Sequence, residues 1–274
     1  MKIVKHSGDI VNFEKSKLEK SLLKSGANQN IVENVLKQID GKLYDGITTK
    51  KMYKIAFDLL KKESNVNAAR YNLRASLELL GPAGFYFEKY ISYLFRGEGY
   101  TTLVNLNLEG KCVSHEVDLV IQKGNQVKMI ECKFHSNRDI VSDVKVPMYI
   151  LSRFNDLKSK EYVIFDQPTY INNCLIATNN RFSDDAIKFA VCSGLELLSW
   201  DFPKGNNLRN KIENTNLYPI TCLTTLSLAE KEQLLMLDII VANQLKEDSE
   251  SLSFIGLSQN RIKNICKEVS ELCI

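Results

Sequence analysis

Hydrophobic residues in the first eighty positions follow strand spacing briefly and helix spacing afterwards. A short apolar strand at Ile3 and Val4 leads through the turn Ser7-Gly8-Asp9 into a second strand that ends near Phe13. Apolar residues then recur every three or four positions, which predicts helices. The predicted helices cover about 18–23, 31–39, 52–60 and 67–80, and the last ends at Gly81-Pro82, a strong helix breaker.

The middle of the chain reads as a mixed α/β pattern. An aromatic-rich helix predicted at 85–95 precedes three strand-like runs, and the last two runs are joined by the turn Lys123-Gly124-Asn125. Helix and strand patterns alternate afterwards, which predicts a central mixed sheet flanked by helices. The strand runs are 101–108, 112–121, 127–134, 174–178 and 195–200, and the later helices are 141–154, 184–192, 229–245 and 261–272.

These changes of pattern divide the chain into a mostly helical region at 1–80, an α/β region at 81–200 and a C-terminal helical segment at 201–274. The net charge of +3 is too weak to argue nucleic-acid binding and does not exclude it. Seven cysteines without metal-site spacing indicate a reducing compartment. No apolar run approaches the ~18 residues of a membrane span. We therefore expect a cytoplasmic protein with no membrane partner.

Two neighbouring strand runs carry the candidate chemistry. Period-2 alternation places Glu131 and Lys133 on one face of their strand, and Asp118 lies in the preceding strand. Adjacent strands can bring the two carboxylates to one ion. Phosphodiester hydrolysis uses carboxylates to hold Mg²⁺, and a nearby lysine can stabilise the transition state. The spacing is therefore compatible with a metal-dependent nuclease, although spacing alone favours a hairpin with one solvated face.

The spacing alone leaves a simpler alternative open. An acidic residue two positions before a lysine occurs five times, at Asp40, Glu109, Glu131, Asp143 and Asp156. A hairpin with one solvated face would show the same alternation of charge. Flanking helices that cover both faces of the sheet favour the metal site, because buried carboxylates need a partner.

Several motifs between 81 and 200 resemble the Mrr-type restriction endonuclease family. The resemblance implies a PD-(D/E)XK fold, a restriction-endonuclease-like mixed sheet flanked by helices. It implies that Asp118, Glu131 and Lys133 are catalytic and that Mg²⁺ or Mn²⁺ is the metal. Glu88 on the preceding helix matches the family's helical acid, and the backbone carbonyl of Cys132 would be a third metal ligand beside Asp118 and Glu131. The motifs are Gly81-Pro82-Ala83-Gly84-Phe85, Gly99-Tyr100, Val113–Asp118, Glu131–His135, Asp143–Val146 and Arg153–Leu157.

The first eighty residues resemble the ATP-cone, a nucleotide-sensing module. The resemblance rests on Val4–Gly8, Phe13–Leu18, Tyr44–Thr49 and Ala68–Tyr71. The family positions that bind nucleotide correspond here to Ile3, Lys5, His6, Lys17, Thr49 and Tyr53.

This N-terminal region departs from the ATP-cone pattern at two positions. His6 stands where the family usually has arginine, and Val11 occupies a position that can be acidic. No Walker-type loop is present, so ATP or dATP is expected as an effector rather than a hydrolysed substrate. A small basic domain that contacts DNA or mediates oligomerisation is the alternative.

Weaker candidates flank these motifs. His115, His135 and Lys145 could touch phosphate, and Tyr149 could point toward the active-site groove, although surface positions explain all four better. In the C-terminal segment, the turn Phe254-Ile255-Gly256-Leu257-Ser258 precedes a helix with Arg261 and Lys263, and it is faintly similar to a helix-hairpin-helix phosphate grip.

Taken together, the residues and the resemblances predict a homo-oligomeric DNA endonuclease of the restriction or defence type, whose ATP-cone binds adenine nucleotide. Two alternatives stay open. One is a catalytically inactive, nucleotide-gated DNA-binding regulator. The other is a nuclease that acts on RNA.

Overall fold

The computed structural model describes residues 1–5, 7–81 and 84–274, and His6, Pro82 and Ala83 lie outside the described residues. The strands are β1 Lys2–Val4, β2 Ile10–Asn12, β3 Ile47–Thr48, β4 Thr101–Glu109, β5 Ser114–Lys123, β6 Gln126–Lys133, β7 Val141–Ser142, β8 Glu161–Ile164, β9 Gln167–Tyr170, β10 Asn173–Thr178, β11 Arg181–Phe182 and β12 Glu196–Leu198. The α-helices are α1 Lys15–Leu23, α2 Gln29–Asp40, α3 Thr49–Glu63, α4 Asn65–Tyr71, α5 Leu73–Leu77, α6 Phe85–Gly97, α7 Lys145–Leu157, α8 Asp184–Cys192, α9 Leu208–Thr215, α10 Leu228–Met236, α11 Glu250–Phe254 and α12 Gln259–Leu272.

The chain divides into two compact units. The first unit consists of Met1–Leu73, Cys222–Leu237 and Leu245–Ile274, and the second consists of Arg74–Thr221 and Asp238–Gln244. The C-terminal helices α10, α11 and α12 therefore fold in the same unit as the N-terminal residues. Domain boundaries at 80 and 200 stay a prediction.

The first unit contains a small sheet covered by helices. Strand β1 lies in the centre, antiparallel to β2 and parallel to β3, so that Ile3 pairs with both Val11 and Ile47. The helices bury their apolar stripes against one core, as α2 does with Val32, Val35, Leu36 and Ile39. Polar side chains cap two of them, because Asn28 accepts from the Ile31 N–H and Thr48 accepts from the Lys51 N–H.

A buried carboxylate ties the C-terminal helix into the first unit. Glu268 in α12 is 2% exposed, and its two oxygens accept hydrogen bonds from the backbone N–H and the hydroxyl of both Thr224 and Thr225. Four donors compensate the cost of burying this charge. Arg261 on the same helix forms an ion pair with Glu230.

The second unit is built on a five-stranded mixed sheet in the order β12-β10-β6-β5-β4. Strands β4, β5 and β6 are antiparallel, whereas β6, β10 and β12 are parallel. Leu119, Val120 and Ile121 are consecutive in β5 and all 0% exposed, so both faces of the sheet are covered at this point. The solvated-hairpin interpretation of the acidic strands is therefore wrong here. None of the described helices has the length and apolar character of a membrane span.

A hairpin that the sequence did not predict follows α7. Strands β8 and β9 pair antiparallel, and Phe165 and Asp166 between them both have positive φ, at 54° and 59°. Two positive φ values in a row are typical of a type I′ turn. The usual glycine or asparagine signal is absent from Phe165-Asp166, which explains why the hairpin was not expected.

Three predicted helices have different limits. The helix predicted at 67–80 is interrupted at Asn72, between α4 and α5. The helix predicted at 229–245 ends at Met236, and Asp238 follows with a left-handed φ of 65°. The helix predicted at 141–154 begins later, because Val141–Ser142 pairs with β11 and Asp143 then accepts a hydrogen bond from the Lys145 N–H.

Candidate active site

Strands β5 and β6 stop pairing just before their acidic residues. Their last pair on this side is Leu119 with Ile130, so Asp118 and Glu131 are the next residues on the two strands. Strand β6 remains paired with β10 as far as Lys133. The Cys132 N–H donates instead to Asp118 Oδ2 at 2.6 Å. A carboxylate therefore takes the place of a strand partner, which holds Asp118 beside Glu131.

An arginine from α7 fixes one oxygen of Glu131. Arg153 donates from Nη1 to Glu131 Oε1 and from Nη2 to the Glu116 carbonyl, and its guanidinium lies 5.7 Å from the Tyr149 ring centroid. The Arg153 and Glu131 side chains are only 12% and 17% exposed. Glu131 Oε2 is buried and has no hydrogen-bond partner among the described residues. One carboxylate oxygen is thus held, and the other is left for a ligand.

Glu88 joins this acidic group from α6, whose Phe87 ring lies 5.8 Å from that of Phe134 at the end of β6. Burial raises the pKa of Glu88 to about 7, with further increases from Asp118, Glu116 and Glu131. Burial and Asp118 raise the pKa of Glu131 to about 7 against the opposing effect of Arg153. The three carboxyl groups are therefore close enough to repel one another.

Lys133 lies at the exposed end of β6. Thr178 donates from its hydroxyl to the Lys133 carbonyl at 2.7 Å, which holds this strand end against β10. The Lys133 charge lowers the pKa of both Asp118 and Glu131, although burial leaves the pKa of Asp118 above its ordinary value. The amine is thus electrostatically coupled to both acids without being buried between them.

This donor set fits a divalent cation. Repelling, half-buried carboxyl groups and an unpartnered Glu131 Oε2 call for positive charge. Within the described ranges, no three His, Cys, Asp or Glu side chains form a ready-made metal cluster. Magnesium typically takes only one or two carboxylates and completes its shell with water and substrate phosphate, so Asp118 and Glu131 suffice.

The predicted nucleotide-binding residues collect around β1 and the start of α3. Val4 pairs with Thr48, so Lys5 and Thr49 follow at the same end of two parallel neighbours. Tyr53 lies one turn further along α3 and its ring centroid is 5.8 Å from that of Tyr71. Free N–H groups at the start of a helix suit phosphate.

The remaining predicted nucleotide residues differ in what they can offer. Ile3 is buried at 7% exposure and can present only its backbone outside the core. Lys17 is exposed and pairs with Glu14 at 2.7 Å. His6 lies outside the described residues.

Family models match three successive parts of the chain. They are the ATP cone domain at 1–76, the restriction endonuclease domain Mrr_cat at 82–201 and the AF1548-like C-terminal region at 218–273. An uncharacterized protein of Archaeoglobus fulgidus is 31% identical over 180 residues, which are 65% of this chain and 97% of the relative. The chain belongs to the same family as this relative, and it contains an ATP cone domain and an Mrr-type restriction endonuclease domain.

The predicted fusion of an ATP-cone to an Mrr-type nuclease domain is confirmed, as is the predicted mixed α/β fold. The crystal structure of AF1548, a protein of unknown function, is similar with 27% identity and a TM-score of 0.56, over 69% of this chain and 97% of that chain. Can2 of Sulfobacillus thermosulfidooxidans, solved with cyclic tetra-adenylate, matches at 14% identity and TM-score 0.32 over 74% of this chain and 56% of its own, which is too weak for any inference.

The weaker candidates of the nuclease domain have structural partners. His115 Nε2 lies 2.8 Å from Asp156 Oδ2, and Asp156 also accepts from the Cys112 N–H, so this group joins the β4–β5 turn to α7. His135 Nε2 lies 3.1 Å from the Ser142 hydroxyl, and burial lowers its pKa. Lys145 and Tyr149 are exposed on α7.

Sequence reasoning missed the position of Arg153 in the candidate active site. Arg153 was identified from the sequence only as part of a motif that resembles the nuclease family, without a role of its own. The contact with Glu131 spans 22 positions and depends on how α7 packs on the sheet. A basic residue on the helix after the acidic strand is the only signal that the sequence offered.

Proposed function

We propose that the chain is a metal-dependent DNA endonuclease of the restriction type, with Asp118, Glu131 and Lys133 at its centre and adenine nucleotide as its effector. The observation that carries the proposal is Glu131 Oε2, a buried carboxylate oxygen without a hydrogen-bond partner among the described residues. It lies beside a second carboxylate at the point where two strands separate. The restriction endonuclease and ATP cone domains support a nuclease that binds nucleotide.

Asp118, Glu131 and the Cys132 carbonyl would hold Mg²⁺ or Mn²⁺ in this proposal. The bound metal supplies an activated water and neutralises charge on the scissile phosphate. Arg153 orients Glu131 by holding Oε1, so that Oε2 faces the metal. Lys133, exposed at the end of β6, places a positive charge where the phosphate develops negative charge. Glu88 contributes a third acid with a pKa near neutrality, suited to take or return a proton through water.

ATP or dATP would bind the ATP cone domain and control assembly or cleavage. Lys5 and the N-terminal turn of α3 at Thr49 provide a cation and free N–H groups for phosphate. Tyr53 provides an exposed ring beside them. An effector of this kind acts by binding two states of the protein unequally.

The proposal is tested by incubating the purified full chain with plasmid DNA in Mg²⁺, in Mn²⁺ or in EDTA and measuring cleavage. We expect cleavage only with metal, and a loss of at least about 100-fold in Glu131→Gln and Lys133→Ala. Lys188→Ala is the matched control, because Lys188 is exposed on α8 and forms an exposed ion pair with Asp185. Full activity of Glu131→Gln would remove Glu131 from the site.

Two further outcomes would redirect the proposal. Cleavage of structured RNA with no cleavage of DNA would identify an RNA nuclease. Tight DNA binding without cleavage under any metal condition would identify a nucleotide-gated regulator. Plasmid, modified phage DNA and structured RNA should therefore be compared side by side.

A further inference from the structure

Three arginines of the second unit gather beyond the C-terminal ends of the parallel strands. Arg138 follows β6, Arg181 opens β11 directly after β10, and Trp200 follows β12. Parallel neighbours end at the same edge of a sheet, and ligands of α/β proteins commonly bind there. Arg74 in α5 joins this group through Trp200, because its guanidinium carbon lies 5.7 Å from the indole ring centroid.

We call Arg74, Arg138 and Arg181 the row, and two of them form ion pairs. Glu78 lies one helical turn after Arg74, and its Oε1 is 3.0 Å from Arg138 Nε. Asp201, next to Trp200 in the chain, has its Oδ2 3.2 Å from Arg181 Nε. The guanidinium of Arg74 lies near both ion pairs, because the charges of all four of their side chains affect its pKa.

The row carries one more positive charge than its acids balance. Arg74 Nε is buried and has no hydrogen-bond partner within the part of the chain that the structure describes. Burial lowers the pKa of Arg74, and the charges of Arg181 and Arg138 lower it further. Glu78 and Asp201 oppose this effect only in part, so a half-buried guanidinium beside two like charges favours the addition of an anion.

We propose that Arg74, Arg138 and Arg181 bind a backbone phosphate of the DNA that the nuclease site cuts, an inference that rests on the proposed function. Guanidinium groups bind phosphate through paired, charge-assisted hydrogen bonds. The row shares a sheet edge with the candidate active site, since Thr178 pairs with Lys133 and Arg181 follows only three residues later. Trp200 holds Arg74 in place by its cation–π contact.

Measuring DNA binding in EDTA distinguishes arginines that bind phosphate from arginines that only support the fold. Fluorescence anisotropy of a labelled duplex should be titrated over a range of salt for Arg181→Gln and Arg74→Gln. Lys188→Gln is the control for the same loss of charge on an exposed helix. We expect roughly 10-fold weaker binding in each arginine variant and a salt slope smaller by at most about 0.9, since the arginines share one phosphate and each phosphate contact contributes about 0.9 to that slope.

Affinity and salt slope equal to those of Lys188→Gln would overturn the proposal. Arg181 is 54% exposed, so its variant tests the site even if the more buried Arg74 variant folds poorly. Calorimetry with inorganic phosphate and with ATP then measures whether the wild type and the arginine variants bind a free anion. If the arginine variants lose the uptake of either free anion but bind the duplex as the wild type does, the row binds a small anion. That result would also overturn the proposal.

Cleavage measured in parallel distinguishes the two proposals. A wild-type protein that binds DNA through the arginines but never cuts it contradicts the nuclease function and supports the phosphate site. A wild-type protein that cuts DNA, while both arginine variants bind and cut as the lysine control does, removes the phosphate site and leaves the nuclease function standing.

Discussion

Replacing Glu88 by glutamine should stabilise the metal-free protein above neutral pH. Burial, Asp118, Glu116 and Glu131 raise the pKa of Glu88 to about 7, from its ordinary value of 4.5. At 1.36 kcal/mol per pH unit, this difference corresponds to about 3 kcal/mol of unfavourable free energy for the ionised group. Glu88 is partly exposed and solvent screens its charge, so we expect about 1–2 kcal/mol in practice.

The stabilisation of Glu88→Gln relative to the wild type should increase with pH. Between about pH 4.5 and 7 the folded protein retains a proton on Glu88 that the unfolded chain has released. The free energy of unfolding of the wild type therefore falls as pH rises through this window. Glutamine carries no such proton, so the variant should match the wild type near pH 5 and exceed it most at pH 8.

Urea denaturation with EDTA at pH 5 and pH 8 measures the difference, with Glu161→Gln on an exposed strand end as the control. Adding Mg²⁺ should reduce the difference, because a cation held by Asp118 and Glu131 offsets their repulsion of Glu88 in the folded wild type. Equal stability of wild type and Glu88→Gln at both pH values would refute the reasoning that the acids repel one another in one site.

Three further predictions follow from individual contacts. Arg153→Gln should weaken Mn²⁺ binding by about 10–100-fold in calorimetry, because it frees Glu131 Oε1, and unchanged affinity would exclude its orienting role. Glu268→Ala should lower the free energy of unfolding by about 3 kcal/mol or more in urea, since two buried and two partly buried donors lose their acceptor, whereas a loss under 1 kcal/mol would contradict this. Lys5→Ala should reduce the uptake of ATP and dATP in calorimetry, with Lys37→Ala, an exposed lysine of α2, as the control. Equal uptake by the two variants would remove Lys5 from the nucleotide site.

The local sequence pattern was sufficient to predict the two strands that carry Asp118 and Glu131. Period-2 alternation placed β5 and β6 close to their observed limits, because each strand buries regular apolar positions. Turns that depend on uncommon backbone angles were not predictable. Phe165-Asp166 and Asp238 adopt positive φ without glycine, so no residue pattern indicates the hairpin or the helix end.

The electrostatics of the candidate site depend on distant residues. Arg153 and Glu131 meet only because α7 packs on the sheet, and the row of Arg74, Arg138 and Arg181 joins three separate segments. Sequence spacing identifies acids on one strand face but does not determine which cation holds them or which oxygen stays free. The geometry of the fold supplies that information.

Crystals of the full chain soaked in Mn²⁺ would test the central claim most directly, by anomalous scattering at the manganese edge. We predict a peak in ligand contact with Asp118 and with Glu131 Oε2, while Arg153 keeps its hydrogen bond to Oε1. A protein that cleaves DNA with Mn²⁺ but shows its peak elsewhere, or with Glu131 turned away from the metal, would contradict the account.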